Sequence, residues 1–410
     1  MNMRHLRFLI IVWCAVLCAY THVNAREVDP LFGDTIDRTA EDFVTVSLVV
    51  CDPDEVLYST LGHAALHLQC PVFDLDYIFT YESENVRDKI GTFLQGNLKM
   101  GMFSMPKDTF LTDYRKSGRG VKEYRLNLPP EVKSELWRMC DERVIQGTDL
   151  EYDPVKRGCA ISVVHSVEDA IQSANRMTGQ HYAINYSKWG EKSKRTIREI
   201  FYENAIKGWG LFWCMTIVSG HYVDNPHIPV EEKLIAPFEL VERWQNATIN
   251  GTPIISQEPS ELAPSVIRYS EEWFSPILFA LLILVLSALS WLMKNNYLDY
   301  ILLAIYAVFS LLITYMLVFP SLPNTDWNWL IIPFNILPAI FWHWRKYWAL
   351  PYAAILLIWC LVMSGEFFWG HVLVDWPHII LALSFCVVLV KDAPQFAKIA
   401  NPFKVGEKIA

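Results

Sequence analysis

Five apolar segments follow one another in the last third of the chain, and they limit its possible folds more than any other feature. They run over residues 274–293, 298–319, 329–344, 348–368 and 372–390. Most contain the ~20 residues that a helix needs to cross a bilayer. The third is shorter and carries Pro333 and Pro338, so we predict a kinked or partly re-entrant span there. The sequence therefore predicts an all-α, five-helix transmembrane domain over residues 274–391.

The composition of the whole chain agrees with a membrane protein. Hydrophobic residues make up 52% and charged residues only 19%, which is unlike an average soluble domain. Ten of the 16 Trp lie between Trp273 and Trp376, as expected for indole rings at the depth of lipid headgroups. The net charge of −9, without a dense Lys or Arg cluster, gives no electrostatic footprint for nucleic acid. We therefore predict no nucleic-acid partner.

The positive charges predict the orientation of the segments. Lys and Arg favour cytoplasmic connections. Basic residues follow the first, third and fifth segments, whereas the loops after the second and fourth contain none. This pattern places residues 26–273 on the outer side and residues 392–410 in the cytoplasm as a tail. We predict a multi-pass protein of the inner membrane with its exported domain in the periplasm.

The first 25 residues have the features of an export signal. Arg4 and Arg7 precede an apolar run over residues 8–19, and the small residues at positions 23 and 25 fit signal peptidase. A cleaved signal peptide over residues 1–25 is the preferred interpretation, and an uncleaved anchor is the alternative. Export delivers the following residues to an oxidising compartment.

The exported region is predicted to mix strands and helices. We divide it into a catalytic domain over residues 26–190 and an extension that links it to the membrane over residues 191–273. Strands are predicted over 43–50, 64–69 and 77–81, the last two paired around Pro71. Helices are predicted to begin at 128–131 and at or just before Cys159, after which apolar residues recur every three or four positions.

The exported region contains five cysteines: Cys51, Cys70, Cys140, Cys159 and Cys214. An odd number leaves at least one thiol without an intramolecular partner. Cys51 can pair with Cys70 and Cys140 with Cys214, although sequence does not fix connectivity. We predict that Cys159 is free and reactive, because it begins a helix behind Lys156 and Arg157, and both N–H groups and cations favour a thiolate. A buried structural cysteine is the alternative.

A thiolate nucleophile needs a histidine to move protons, and His63 is the leading candidate. It follows Gly62, which lets another backbone come close, and precedes two alanines. His67 shares its strand face and is a possible second polar group, whereas His165 is predicted to pack or to face solvent. A structural histidine is the alternative for His63. The residues that could orient its ring are Asp76, Thr80 and Glu82.

Metal ligation is not indicated by the sequence. No His or Cys pair has the spacing of zinc ligands, and the chain contains no HExxH motif. We therefore predict neither a metal nor another cofactor.

These residues lie in stretches that resemble the Lnb family of bacterial lipoprotein N-acyltransferases. The stretches are YSTLGHAA over 58–65, SGRGV over 117–121 leading into 126–128, and YD at 152–153 before 158–159, with 324–330 and Asn335 similar to the family's membrane part. The resemblance implies an α+β chain: an exported, circularly permuted papain-like (NlpC-type) cysteine domain followed by the five-helix domain. In that order histidine precedes cysteine, as in lecithin:retinol acyltransferase. Carried over, His63 and Cys159 are the catalytic pair, with Arg119 as an accessory residue.

The chain departs from the family pattern around the cysteine. Gly158 stands where Asn is common, and residues 160–163 replace a polar Thr/Arg stretch. A donor to an oxyanion is then either missing or supplied by backbone N–H groups.

The resemblance implies a two-step acyl transfer. Cys159 would take an acyl chain from a membrane phospholipid as a thioester and pass it to the α-amine of a diacylglyceryl-cysteine lipoprotein. One alternative is a membrane-anchored cysteine peptidase or amidase that acts on cell-wall peptide. Another is a tethered binding module in which Cys159 is structural.

Overall fold

The computed structural model describes most of the chain between residues 40 and 391. The described residues are 40, 43–54, 59–85, 88–147, 150–153, 155–186, 195–204, 221–267, 275–293, 296–318, 329–369 and 376–391. The predicted export signal over 1–25 and the predicted tail over 392–410 lie outside them.

The N-terminal part is rich in β-structure. Its strands are β1 (Thr45–Cys51), β2 (His63–Cys70), β3 (Leu75–Ser83), β4 (Lys99–Pro106), β5 (Val121–Arg125), β6 (Leu150–Glu151), β7 (Ile184–Asn185), β8 (Thr248–Ile249), β9 (Thr252–Pro253) and β10 (Ser260–Ala263). Seven of them form one antiparallel sheet in the order β10-β5-β1-β2-β3-β4-β6. Strands β7, β8 and β9 form a second, small sheet.

The three strands predicted from the sequence are adjacent in this sheet. β1 lies inside the sheet between β5 and β2 and is buried along its whole length. β2 and β3 pair antiparallel, joined by a short 3₁₀ turn over Pro71–Phe73 and by Asp74 in a left-handed conformation. The prediction of a paired hairpin around Pro71 is therefore confirmed.

Helices cover both faces of the large sheet. They are α1 (Ile90–Leu94), α2 (Lys107–Ser117), α3 (Pro130–Gln146), α4 (Cys159–Thr178), α5 (Ile197–Asn204) and α6 (Pro237–Asn246). The main core includes Leu48 and Leu66 of the sheet with Val164 of α4. A smaller core on the other side contains Val49, with residues of α2. Proline at the first turn of α3 supplies a preset φ where no N–H is needed, which explains the predicted helix start.

Residues beyond position 191 contribute to the same core. Leu240 and Trp244 of α6 are fully buried in the main cluster with residues of β1 and β2. β10 pairs with β5 and extends the large sheet by one strand. Packing therefore crosses the boundary that we predict at residue 190.

The C-terminal part is helical. It contains α7 (Pro276–Ser290), α8 (Tyr297–Val318), α9 (Leu337–Ile340), α10 (Arg345–Trp369) and α11 (Trp376–Lys391). Two stretches, Tyr297–Tyr315 and Trp342–Ser364, are long and apolar enough to cross a membrane, and α7 and α11 are shorter apolar helices. The third predicted segment is broken into 3₁₀ turns and the four-residue α9, around Pro333 and Pro338.

A buried ion pair connects the two ends of this helical part. Lys391 Nζ lies 2.6 Å from Asp299 Oδ2 and donates to the Ser290 carbonyl at 2.6 Å. Both charged side chains are almost completely buried. The pair joins the start of α8 to the end of α11, and the Ser290 contact adds the end of α7.

Candidate functional site

Cys159 is the first residue of α4, as predicted, and is a free, partly exposed thiol. Gly158 precedes it in an extended conformation. The buried Asp153 fixes the loop before it, because its carboxylate accepts the N–H groups of Val155 at 2.9 Å and Lys156 at 3.0 Å. This capped turn places the sulfur at the helix start.

His63 is the first residue of β2, and Gly62 controls how the chain enters that strand. Gly62 has φ of +85°, and a Cβ there would lie only 2.7 Å from the Cys51 carbonyl oxygen. Only glycine fits both the left-handed conformation and the close approach. The predicted role of Gly62 as a point of backbone contact is confirmed.

The imidazole of His63 has partners on both sides. Nε2 lies 2.6 Å from Thr80 Oγ1 and 3.4 Å from Glu82 Oε1. Thr80 donates its hydroxyl proton to Glu82 at 2.9 Å, so its oxygen accepts the proton on His63 Nε2. The Cys159 sulfur is close enough to the ring for each group to shift the pKa of the other. Because Nε2 is engaged by Thr80, Nδ1 is the ring nitrogen that remains available for proton exchange.

The two side chains shift each other's acidity. Burial alone disfavours ionisation of Cys159, but the nearby His63 outweighs it, the Ala64 N–H donates to the sulfur, and the pKa of the thiol falls below its usual range. Burial likewise opposes protonation of His63, yet the Cys159 thiolate and Glu82 raise the pKa of His63 to about 9. Each group therefore favours the charged form of the other, a thiolate beside an imidazolium.

The cations next to Cys159 in sequence do not provide this stabilisation. Lys156 Nζ lies over the Tyr222 ring, 4.4 Å from its centroid, and Arg157 donates to the Glu151 carbonyl at 3.1 Å. The expected contribution of these two cations is corrected, since His63 and the Ala64 N–H lower the pKa instead.

The structure separates the candidate orienting residues. Thr80 and Glu82 contact His63, but Asp76 binds His67 and forms an ion pair with Lys107 at 2.7 Å. His67 is buried and its Nδ1 lies 2.5 Å from Glu123 Oε1. Both ring nitrogens of His67 are thus engaged away from His63, and the two histidines are four positions, or ~13 Å, apart along β2. His165 is exposed on α4.

Arg119 holds the loop beside Gly62. Its Nε and Nη2 both donate to the Asp52 carbonyl, at 2.8 and 2.6 Å, and its Nη1 lies 3.8 Å from Asp54. The Gly120 N–H donates to the Asp52 carboxylate at 3.0 Å, so a side chain at Gly120 would clash there. Arg119 therefore acts on the backbone that supports His63.

Two further groups near the site were not predicted. Cys51 is paired with His63 in the β1–β2 register, and Tyr114 is close enough to affect the pKa of its thiol. Burial raises the pKa of the Cys51 thiol, so it stays protonated beside the Cys159 thiolate. The Ala64 N–H is the other, since a backbone donor has no signature in sequence.

The disulfide between Cys51 and Cys70 that the sequence left possible is not formed. Both are buried and no disulfide joins them, because they lie at opposite ends of adjacent strands, where Cys51 is opposite His63 and Thr45 is opposite Gln69. Cys70 is seven positions along β2 from His63, which is level with Cys51. That distance is ~23 Å, whereas the Cα atoms of a disulfide lie 4.4–6.8 Å apart. Cys140 is a buried free thiol, and its predicted partner Cys214 lies outside the described residues.

The chemistry available at this site is that of a thiol. A cysteine at a helix start, paired with a histidine that a hydroxyl and a carboxylate hold in place, is the arrangement that activates a nucleophilic sulfur. In the described part of the chain, no cluster of three or more His, Cys, Asp or Glu could hold a metal ion. Together with the apolar helices, the fold defines a membrane-anchored protein with a mixed α and β domain that carries this pair.

The N-terminal part of the chain matches a known protein family. Residues 36–189 match the Lnb N-terminal periplasmic domain, so this part of the chain is similar to that domain and the predicted resemblance to the Lnb family is confirmed. The match includes both His63 and Cys159. Neither the curated proteins nor the solved structures gave a match.

Proposed function

We propose that the protein is an inner-membrane acyltransferase that moves a fatty acyl chain from a phospholipid to the α-amine of a diacylglyceryl-cysteine lipoprotein. The observation that carries this proposal is the mutual influence of Cys159 and His63 on each other's pKa, inside a region that matches the Lnb periplasmic domain. The order of strand histidine before helix cysteine, 159 − 63 = 96 residues apart, supports a permuted papain-like fold.

In the first step the Cys159 thiolate attacks the carbonyl carbon of a phospholipid ester. The C–O bond to the glycerol oxygen breaks, that oxygen takes the proton from His63 Nδ1, and a lysophospholipid leaves. The acyl chain remains on Cys159 as a thioester. The Ala64 N–H, which points at the sulfur, and the Cys159 N–H at the helix start are the backbone groups available to the oxyanion.

In the second step the lipoprotein amine attacks the thioester carbon. Neutral His63 accepts a proton from the amine, the C–S bond breaks, and an amide forms while the thiolate returns. Thr80 and Glu82 keep Nε2 occupied, so the same nitrogen, Nδ1, serves both steps. Arg119 is proposed as a positioning residue through the Asp52 loop.

Membrane anchoring supports transfer between lipids over hydrolysis of cell-wall peptide. Donor ester and acceptor amine both lie at the headgroup plane, and anchoring restricts the search to that plane. We propose a multi-pass arrangement with the Cys159 domain in the periplasm and the C-terminus in the cytoplasm. The apolar helices and the distribution of Lys and Arg support it.

The test is mass spectrometry of lipoprotein N-termini in cells where this protein is the sole enzyme of its kind. We expect the third acyl chain to be present with the wild type and absent with Cys159→Ala or His63→Ala. His165→Ala, a change on the exposed side of the same helix, is the control and should retain acylation.

Two results would contradict the proposal. If the third acyl chain persists with either site variant, Cys159 and His63 are not the catalytic pair. Release of cell-wall peptides that depends on Cys159, without any change in lipoproteins, favours the peptidase or amidase instead.

A further inference from the structure

A cavity of about 450 Å³ lies within the helical part, away from Cys159. It is bounded by α7, α8 and α11, with Phe334 from the broken segment also in its wall. The volume falls within the ~300–1,000 Å³ of small-molecule sites. α7 packs closely on α11, and the cavity opens where α8 stands away from them.

The wall of this cavity is almost entirely apolar, and its polar side chains are Tyr306, Ser287 and Ser384. No charged side chain lines it, and the rings of Phe309 and Phe385 contribute to it. Its two serines are already bonded, since Ser287 donates to the Ile283 carbonyl and Ser384 to the Ile380 carbonyl, each at 2.7 Å. A ligand would meet hydrocarbon and aromatic surface, which favours an apolar occupant.

The length of the cavity is matched to a lipid chain. Along α8 it extends from Leu302 to Leu312, ten residues or ~15 Å of helix. That is half of the ~30 Å hydrocarbon core, the depth that the acyl chains of one leaflet occupy. α8 contains one of the two stretches that are long and apolar enough to cross a membrane, so acyl chains surround it.

We propose that this cavity binds one acyl chain of a membrane phospholipid. The chain enters sideways between α8 and α11 and lies along both helices, where it fills space that the side chains leave open. Binding here does not depend on Cys159 or on the proposed reaction.

The experiment uses the full chain in vesicles of phosphatidylethanolamine and phosphatidylglycerol. A trace phospholipid carries a photoactivatable diazirine in the distal half of one acyl chain, and labelled residues are mapped by peptide mass spectrometry. We expect labels to concentrate on 302–312 and 381–388, several-fold above the exposed apolar residues of α10, Ile355, Ile358 and Leu361.

A matched pair of variants tests the cavity itself. Ile305 lines it and Ile301, one turn earlier on α8, does not, although both are exposed. Ile305→Trp should reduce labelling of 381–388 several-fold, and Ile301→Trp should leave it unchanged. Leu312→Trp and its neighbour Leu311→Trp form a second pair of the same design, for use if the first does not insert.

Two outcomes would overturn the proposal: equal labelling of α8, α10 and α11, or labelling that does not change in Ile305→Trp and Leu312→Trp. Either result would indicate adventitious annular lipid only. Cys159→Ala should label like the wild type. The lipid site and the catalytic proposal can therefore fail separately.

Discussion

At the residue scale, the site depends on two groups that hold each other in their charged forms. The thiolate of Cys159 and the imidazolium of His63 coexist between the lowered pKa of the sulfur and the pKa of about 9 of the ring. When either group titrates, the ion pair is lost. The pH dependence of reactivity at Cys159 therefore reports whether the two groups lie close together.

Alkylation by iodoacetamide tests this coupling. The rate at Cys159 should rise at a pH below the ordinary thiol value of ~8.5, because the pKa is lowered. In His63→Ala the midpoint should move upward, since burial then acts without the cation. Rates are measured by mass spectrometry of the Cys159 peptide across a pH series. Identical profiles for the two proteins would show that the pair does not form.

Acyl transfer should respond differently above the pKa of His63. As pH rises through about 9 the ring loses its proton, so transfer falls while alkylation of the thiolate stays high. Cys51 and Cys140, which are buried and have raised pKa values, should stay unmodified in the folded protein and serve as internal controls.

Gly62 is the other residue on which the site depends. Gly62→Ala should lower the free energy of unfolding, because an L residue pays ~1–2 kcal/mol in a left-handed conformation and this Cβ also meets the Cys51 carbonyl. Gly179→Ala is the matched control, with φ of +72° and nothing within 4 Å of the added Cβ. Thermal unfolding is followed by reaction of the buried Cys140 thiol. Equal losses of stability in the two variants would show that contact with the Cys51 carbonyl adds nothing to the cost of Gly62→Ala.

At the scale of elements, sequence patterns identified those that carry the catalytic candidates. Alternation and β-branched residues predicted β1, and the apolar spacing after Cys159 predicted α4. Both signals are local, which is why they succeed from sequence alone. β10 has four residues without such alternation, and its pairing with β5 depends on a partner far away in sequence.

Helix α6 provides the test of where the domain ends. Trp244→Ala should cost ~3–5 kcal/mol, because a large side chain is removed from the main core. Phe238→Ala on the same helix, where the ring is 38% exposed, should cost much less. The measurement is the temperature at which the Cys140 thiol becomes reactive in the full chain, and it should be lower for the less stable variant. No shift for Trp244→Ala would mean that α6 does not stabilise the domain.

At the scale of the whole molecule, patterns in the sequence predicted the division into a sheet-rich part and a helical part. They did not predict contacts between residues that are far apart in the sequence. The directions of Lys156 and Arg157 illustrate the limit, since a nearby cation in sequence can point elsewhere in space. The roles of Cys51 and Ala64 follow from strand register and from the approach of α4 to β2, which no local pattern encodes.

The ion pair between Asp299 and Lys391 also bears on how the protein is made. Asp299 is buried near the start of α8, and the ammonium group that neutralises it is at the end of α11, 92 residues later. An uncompensated carboxylate is costly to place in an apolar setting. We therefore expect α8 to reach its final packing only after α11 has been synthesised, when Lys391 can neutralise Asp299.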